Sequence, residues 1–206
     1  MKARFITIEG CEGSGKTTIL KKLCAEFKEK NIKFFATREP GGSKISEQIR
    51  NVILNVENTK MDYMTEALLY AASRRQHLEE IVKPALNDGA IVLCDRYLDS
   101  SLAYQGYARG LGIDEVYAIN MYATSGFLPE LTIYIDIPVE VGLERITSNN
   151  RDVNRLDLEK VSFHSKVREG YLEIAKKYSD RIVTIDGVGT PDEVYERVKK
   201  VIFERL

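Results

Sequence analysis

"GCEGSGKTT", residues Gly10–Thr18, decides how this chain is read. It follows the apolar run Phe5–Ile8 and fits the spacing G-x-x-x-x-G-K-[ST], closing at Thr17. Gly10, Gly13 and Gly15 let backbone N–H groups curl inward without side-chain clash. The helix opening at Lys16 points its positive end at the same place. Lys16 brings a mobile cation to the outer phosphates, and Thr17 a hydroxyl oxygen for Mg²⁺. A plain glycine turn is the alternative, but spacing, strand and helix context agree on a phosphate loop. Glu12 is an acid inside this anion site. It would repel phosphate unless it faces a cation or the acceptor's sugar; an exposed carboxylate fits the residue type equally well.

The 206 residues suffice for one domain with a buried core. Hydrophobic residues make up 44% and charged residues 30%, an ordinary soluble composition. The formal net charge of -1 gives no basic field for nucleic acid, and no apolar run approaches a membrane span. Met1-Lys2-Ala3-Arg4 leads almost at once into a strand and lacks a signal-peptide pattern. Cys11, Cys24 and Cys94 are odd in number and not in C-x-x-C spacing, which reads as reduced thiols in a cytoplasm.

Short β-rich runs at Arg4–Ile8, Lys33–Thr37, Ala90–Cys94, Leu131–Asp136 and Arg181–Ile185 alternate with helical patterns. Helices are predicted from Lys16 to Lys30, from near Asp62 with Ala67, Leu68, Ala71 and Ala72 on one side, from about Asp157 to Tyr178, and from Pro191 to Phe203. This alternation predicts a parallel α/β sheet with helices on both faces. Ligands then bind beyond the carboxyl ends of the strands.

The second strand is followed by "TREPGGS", Thr37–Ser43. Arg38 falls at the sheet's carboxyl edge, Ser43 is a candidate helix cap, and Arg50 lies further along that helix; taken alone, a surface loop with a solvated arginine is the plainer reading. The third strand is followed by "CDRYLDSSLAYQGYARG", Cys94–Gly110. Asp95, at the tip of a buried strand beside the phosphate loop, is placed to hold Mg²⁺ directly or through water. Arg96 adds a fixed fork for phosphate. Ser100, Ser101, Tyr104 and Gln105 bring hydroxyls, an aromatic face and an amide suited to a base and sugar. In "LLYAASRRQH", Leu68–His77, Tyr70 and Arg74 share a helix face that suits a flat base; a core tyrosine and a surface salt bridge are the plainer alternative. His77 and His164 have no nearby ligand set and read as structural or surface residues. "RITSNNRDVNRLDLE", Arg145–Glu159, reads as a mobile loop between helices whose Arg151 and Arg155, with Arg145 just before, can close over a transferring phosphoryl group.

Together, "EGCEGSGKTT", "TREPGGS", "TEALLYAASRRQH", "CDRYLDSSLAYQGYARG", "LPELTIYIDIP" and "RLDLEKVSFHSKVREGY" resemble the thymidylate kinase family in its bacterial form, in the right order over nearly the whole chain. The resemblance implies a P-loop NTPase fold, an α/β structure with a five-stranded parallel sheet flanked by helices in three α/β/α layers. It implies a single domain over residues 1–206, with the P-loop at 10–18 and a lid at about 146–157. The implied reaction moves the ATP γ-phosphoryl group to dTMP, giving dTDP. Another nucleotide or deoxynucleoside kinase, or a non-enzymatic nucleotide switch, is the alternative, although the N-K-x-D guanine reader of such switches is absent.

By match to the family's motifs, ATP is held by Gly10, Cys11, Glu12, Gly13, Ser14, Gly15, Lys16, Thr17, Thr18 and Arg145, and Mg²⁺ by Thr17 and Asp95. The dTMP site is implied to comprise Glu12, Arg38, Arg50, Tyr70, Arg74, Arg96, Ser100, Ser101, Tyr104 and Gln105. Tyr70 would stack on thymine, Arg74 and Gln105 would bond the base edge, and Tyr104 would crowd the 2′ position. Catalysis would rest on Lys16, Asp95, Arg96 and Arg151, because the P-loop carries no arginine and the lid carries Arg151 and Arg155. A homodimer packed through helices is also implied, with the other face of Thr65–Arg75 contributing. Cys11, near a helix N-terminus, is placed for thiolate character and for protection by ATP from alkylation; an unreactive loop filler is the alternative.

Overall fold

Ile, Val and Phe recur in short runs because both faces of a parallel sheet are buried. The computed structural model describes residues 4–148, 155, 156 and 159–206, without the side chains of 146–148. Among the described residues, β1 (Phe5–Glu9), β2 (Phe34–Arg38), β3 (Ile91–Asp95), β4 (Leu131–Asp136) and β5 (Ile182–Asp186) form one sheet in the order β2-β3-β1-β4-β5. Every pairing is parallel, with Ile8 opposite Asp95 and Arg38 opposite that same residue. All strands but β4 run one residue past the predicted end, onto Glu9, Arg38, Asp95 and Asp186. The ladder carries these charged residues to the carboxyl edge, where the site lies.

Successive strand residues point to opposite faces. Ile6, Ile8, Leu93, Ile133 and Ile135 pack against Ile19, Leu23 and Phe27 of α1 (Lys16–Glu29) and Val194, Val198 and Ile202 of α9 (Pro191–Arg205). Phe5, Val92, Cys94 and Tyr134 pack on the other face. Their partners come from α5 (Leu98–Ser101), the π-helical turn Leu102–Ala108, α6 (Ile113–Thr124) and α8 (Val161–Lys177). The result is three layers with a core on each side of the sheet. Helices α2 (Lys44–Leu54) and α3 (Tyr63–His77) pack together beside this body, and a second π turn, Leu78–Val82, leads into the short α4 (Lys83–Asn87).

Several local expectations change. Ser43 stands before α2, but its hydroxyl donates to Ser46 Oγ (3.0 Å) and makes no cap bond. Ser46 passes the bond to the Ser73 carbonyl (2.9 Å), so the serine ties α2 to α3 instead. The predicted loop beginning at Arg145 is helical at its start, because α7 runs Val139–Ser148. The helix predicted from Asp157 begins at Val161. Helix α6 and both π turns have no counterpart in the sequence reading; α6 buries only Val116, Asn120 and Thr124, too sparse a stripe to recognise. No described helix is long and apolar enough to cross a membrane.

Candidate active site

The loops beyond the carboxyl edge enclose a cavity of about 690 Å³. At one end lie Glu12 to Thr18. Gly15 adopts φ +90° at the start of α1, and Gly13 (φ +74°) sits against the backbone of Gly142 in α7, where a side chain would collide. The first turn of α1 carries neither an acidic residue nor a side-chain cap, so its amides are left for an anion. Gly10 and Cys11 do not line this cavity. Gly10 instead offers its carbonyl to Lys16 and Arg96.

Lys16 does not extend as a mobile cation here. Its ammonium donates to the carbonyls of Gly10 and Cys11, both at 2.9 Å, and to Ser14 Oγ at 3.3 Å. Burial, and then the positive charge of Arg96, bring its pKa down to about 8. Beside it the Thr17 hydroxyl donates to Asp95 Oδ2 at 3.4 Å. Two hard oxygen donors thus converge at the cavity wall, a set that fits Mg²⁺. Arg145 of α7 reaches the Gly13 carbonyl at 3.2 Å and lines the same end.

Glu12 faces a cation, which settles the choice left open by residue type. Arg96 Nη2 donates to Glu12 Oε1 at 2.8 Å, and the Tyr104 hydroxyl donates to Oε2. Burial alone would raise the Glu12 pKa; Arg96, Lys16 and the tyrosine bond overcome that and bring it to about 2. Arg96 holds φ +71°, a conformation that costs energy outside glycine. Its Nη1 donates to Gly10 O (2.9 Å), Tyr171 OH (3.0 Å) and Ser100 Oγ (3.3 Å). Beneath them Glu9 accepts from Ser100 (2.6 Å), Tyr171 (2.8 Å) and the Tyr97 amide (2.7 Å). Burial and the neighbouring Asp99 push Glu9 up to about 7.

At the far end Arg38 and Arg50 both donate to the Pro40 carbonyl, at 3.0 and 2.8 Å. Arg38 also pairs with Glu47 at 2.9 Å. Burial, and then Arg38, lower the pKa of Arg50. Arg38, Arg50 and Arg96 all line the cavity, with Tyr70, Ser100, Tyr104 and Gln105. Like charges gathered on a concave wall favour a polyanion.

Three predicted residues serve the scaffold more than the cavity. Arg74 lines it but is almost wholly buried. Its guanidinium donates to Glu39 (2.7 Å), Ser101 (3.1 Å), Asn120 and the Tyr97 carbonyl (2.9 Å). Of five N–H donors, one is left for a ligand. This is a buried ion pair, not a surface one. Ser101 sits behind Arg74 and does not reach the cavity. Arg155 is not a mobile loop residue either: it is buried, donates Nε–H to Ile53 O (2.9 Å) and pairs with Glu66. Arg151 lies outside the described residues.

Cys11 is buried beside a second, much smaller cavity, and burial followed by the charge of Glu12 pushes its thiol up to about 12. Burial therefore favours the unreactive loop filler over the thiolate reading of Cys11. His77 is buried between Glu39 (2.8 Å) and Thr37 (2.7 Å), and His164 is buried on α8, so neither histidine lies at the surface.

Sequence reasoning missed Glu39, which lines the cavity and pairs with Arg74, and Glu9, Glu66 and Tyr171, which orient the lining residues from behind. It also missed Gly187, Gly189, Pro191 and Val194, which close the cavity beside Thr18 and Ile19. Their position after the last parallel strand is the signal that would have found them.

A phosphate loop, an acid on the neighbouring strand and a cationic acceptor-side wall on one parallel sheet define a P-loop phosphotransferase. The thymidylate kinase family model matches residues 8–198. A thymidylate kinase of Clostridium novyi (strain NT) is 61% identical over 199 residues, covering 96% of this chain and 97% of the relative. One of Geobacillus sp. (strain WCH70) is 56% identical over 207 residues, covering 100% and 99%. One of Bacillus thuringiensis (strain Al Hakam) is likewise 56% identical over 207 residues, with both chains covered at 100%. The chain belongs to the thymidylate kinase family and is an enzyme of that type.

Proposed function

We propose that this enzyme transfers the γ-phosphoryl group of ATP to the phosphate of dTMP, giving dTDP and ADP. The observation that carries this is one cavity lined both by the P-loop residues Glu12 to Thr18 and by Arg38, Arg50, Arg96, Tyr70 and Gln105. An acceptor phosphate oxygen, already ionised at neutral pH, attacks the γ-phosphorus while the bond to the β,γ-bridging oxygen breaks. No general base is needed; alignment and charge neutralisation supply the rate.

The P-loop amides, Lys16 and Arg145 hold the ATP phosphates, and phosphate oxygens replace the carbonyls that Lys16 now contacts. Thr17 and Asp95 hold Mg²⁺, which screens the phosphate charge when bound. Arg38, Arg50 and Arg96 take the acceptor phosphate. Tyr70 stacks on thymine, Gln105 and the remaining Arg74 donor meet its edge, and Tyr104 lies against the sugar with Glu12. Ser100 supports Arg96. Arg151 is the lid cation that meets the transferring group, and Arg155 anchors the lid; residues 1–206 act as one domain.

The partners are ATP and dTMP, without nucleic acid or membrane, in a cytoplasmic setting suited to the three free cysteines. A homodimer is supported by the exposed Tyr63, Met64 and Leu68 of α3.

The test is phosphorylation of dTMP, dUMP, CMP and thymidine compared side by side with ATP and Mg²⁺. The expected result is highest kcat/KM for dTMP. Preference for another acceptor, or tight nucleotide binding with no turnover of any monophosphate, overturns the assignment.

A further inference from the structure

Glu66 lies in the first turn of α3, is fully buried, and does not line the cavity. It accepts a hydrogen bond from Gln105 Nε2 at 2.8 Å. Gln105 does line the cavity, from the π turn that also carries Tyr104. We propose that Glu66 is the positioning residue that sets the hydrogen-bonding polarity of the acceptor-base pocket, by holding the Gln105 amide with its oxygen toward the cavity.

The chemistry follows from lone pairs. An ionised carboxylate accepts and never donates. The amide face turned to Glu66 must therefore be the NH₂, and Oε1 is left to the ligand. Two cations keep Glu66 ionised. Arg109 reaches Oε1 and Oε2 at 3.4 Å, and Arg155 pairs with Oε2. Burial alone would raise the Glu66 pKa; Arg109, the Gln105 bond and Arg155 outweigh it and lower it. Arg109 is itself held between the rings of Tyr63 (4.7 Å) and Phe163 (4.4 Å), so the carboxylate has a fixed frame.

A fixed acceptor selects a base edge. A pyrimidine with a protonated ring N3 donates to Gln105 Oε1. One whose N3 is a bare lone pair, as in cytosine, sets two acceptors against each other in a buried site. Sites built around one buried hydrogen bond reject the wrong partner strongly, because the unpaired group keeps its desolvation cost. The same carboxylate binds Arg155, so base selection and the lid anchor share one buried group.

This rests on the reading that a pyrimidine monophosphate is the acceptor. The experiment is kcat/KM for dTMP, dUMP and dCMP with the wild type and Glu66→Gln, which can offer Gln105 either a donor or an acceptor. The expected result is a dTMP-to-dCMP ratio at least ~10-fold smaller in the variant, with the dTMP-to-dUMP ratio, which reports only the 5-methyl group, within ~2-fold of wild type. Equal losses on all three substrates, or continued exclusion of dCMP as in the wild type, overturn the proposal and leave Glu66 structural. A wild type that phosphorylates dTMP and dCMP alike overturns it too. A wild type inactive on dTMP and dUMP overturns the function itself, a distinct outcome. Should Glu66→Gln not fold, neutron diffraction of the deuterated wild type decides: amide deuterium facing Glu66 supports the proposal, and amide deuterium facing the cavity overturns it.

Discussion

Arg155 donates its Nε–H to the carbonyl of Ile53 at 2.9 Å, and so caps the C-terminal end of α2 from a distant part of the chain. Its backbone N–H reaches Leu54 O at 3.3 Å as well. The last turn of α2 has no basic residue of its own, so Arg155 supplies the cation that end favours. Arg155→Met should destabilise the enzyme by about 1–3 kcal/mol, since Glu66 keeps Arg109 as a partner but the side-chain bond to the Ile53 carbonyl is lost. Denaturant unfolding of both proteins checks this; a change below ~0.5 kcal/mol would remove the anchor role.

With Arg155 held by Ile53 and Glu66, Arg151 is the lid arginine proposed to act on the transferring group. Arg151→Ala should lower kcat by about 10²–10³ with dTMP affinity changed less than ~3-fold, the pattern of a contact made in the transition state. Steady-state kinetics with calorimetric dTMP binding separates the two. Parallel losses in kcat and affinity would make Arg151 a ground-state contact instead.

Lys16 should take up a proton when ATP binds in alkaline buffer. Without ligand its pKa is near 8, so at pH 8.5 part of the population is neutral. Phosphate oxygens favour the charged form and raise that pKa, so binding draws in protons and weakens as pH rises through this window. Titration calorimetry at pH 8.5 in buffers of different ionisation enthalpy should show a fraction of a proton taken up by wild type and none by Lys16→Arg. Identical heats across buffers for the wild type would refute it.

Cys11 should resist alkylation with or without ATP. A thiol pushed up to about 12 has a thiolate population about 10³-fold below that of an ordinary cysteine at 9.0. Brief iodoacetamide treatment at pH 7.5 with peptide mass spectrometry should modify the partly exposed Cys24 first. Cys11 reacting as fast as Cys24 would mean the P-loop opens far more readily than its packing implies.

The fold was legible because its signals are local. The run Phe5–Ile8, the spacing from Gly10 to Thr17 and Asp95 at the tip of Ile91–Cys94 are each contained in a few residues. The lining residues Arg38, Tyr70, Arg96, Tyr104 and Gln105 were legible for the same reason, since each follows a strand or repeats on a helix face. Ser101 and Arg155 were misjudged because residue type and loop context say nothing of what lies opposite. Ser101 meets Arg74 27 positions away in sequence, and Arg155 meets Ile53 102 positions away.

The sequence alone determined the parallel sheet, the phosphate-loop pattern, Asp95 at a strand tip beside that loop, and the lack of arginine in the loop. Strand periodicity and glycine stereochemistry act between near neighbours, so no fold is needed to read them. Only the tertiary structure decided which charges are spent on one another. Glu12 answers Arg96, Glu39 answers Arg74, and Glu66 answers Arg109 and Arg155. A buried charge takes its state from whatever chain packing places within a few ångströms, and composition carries no record of that distance.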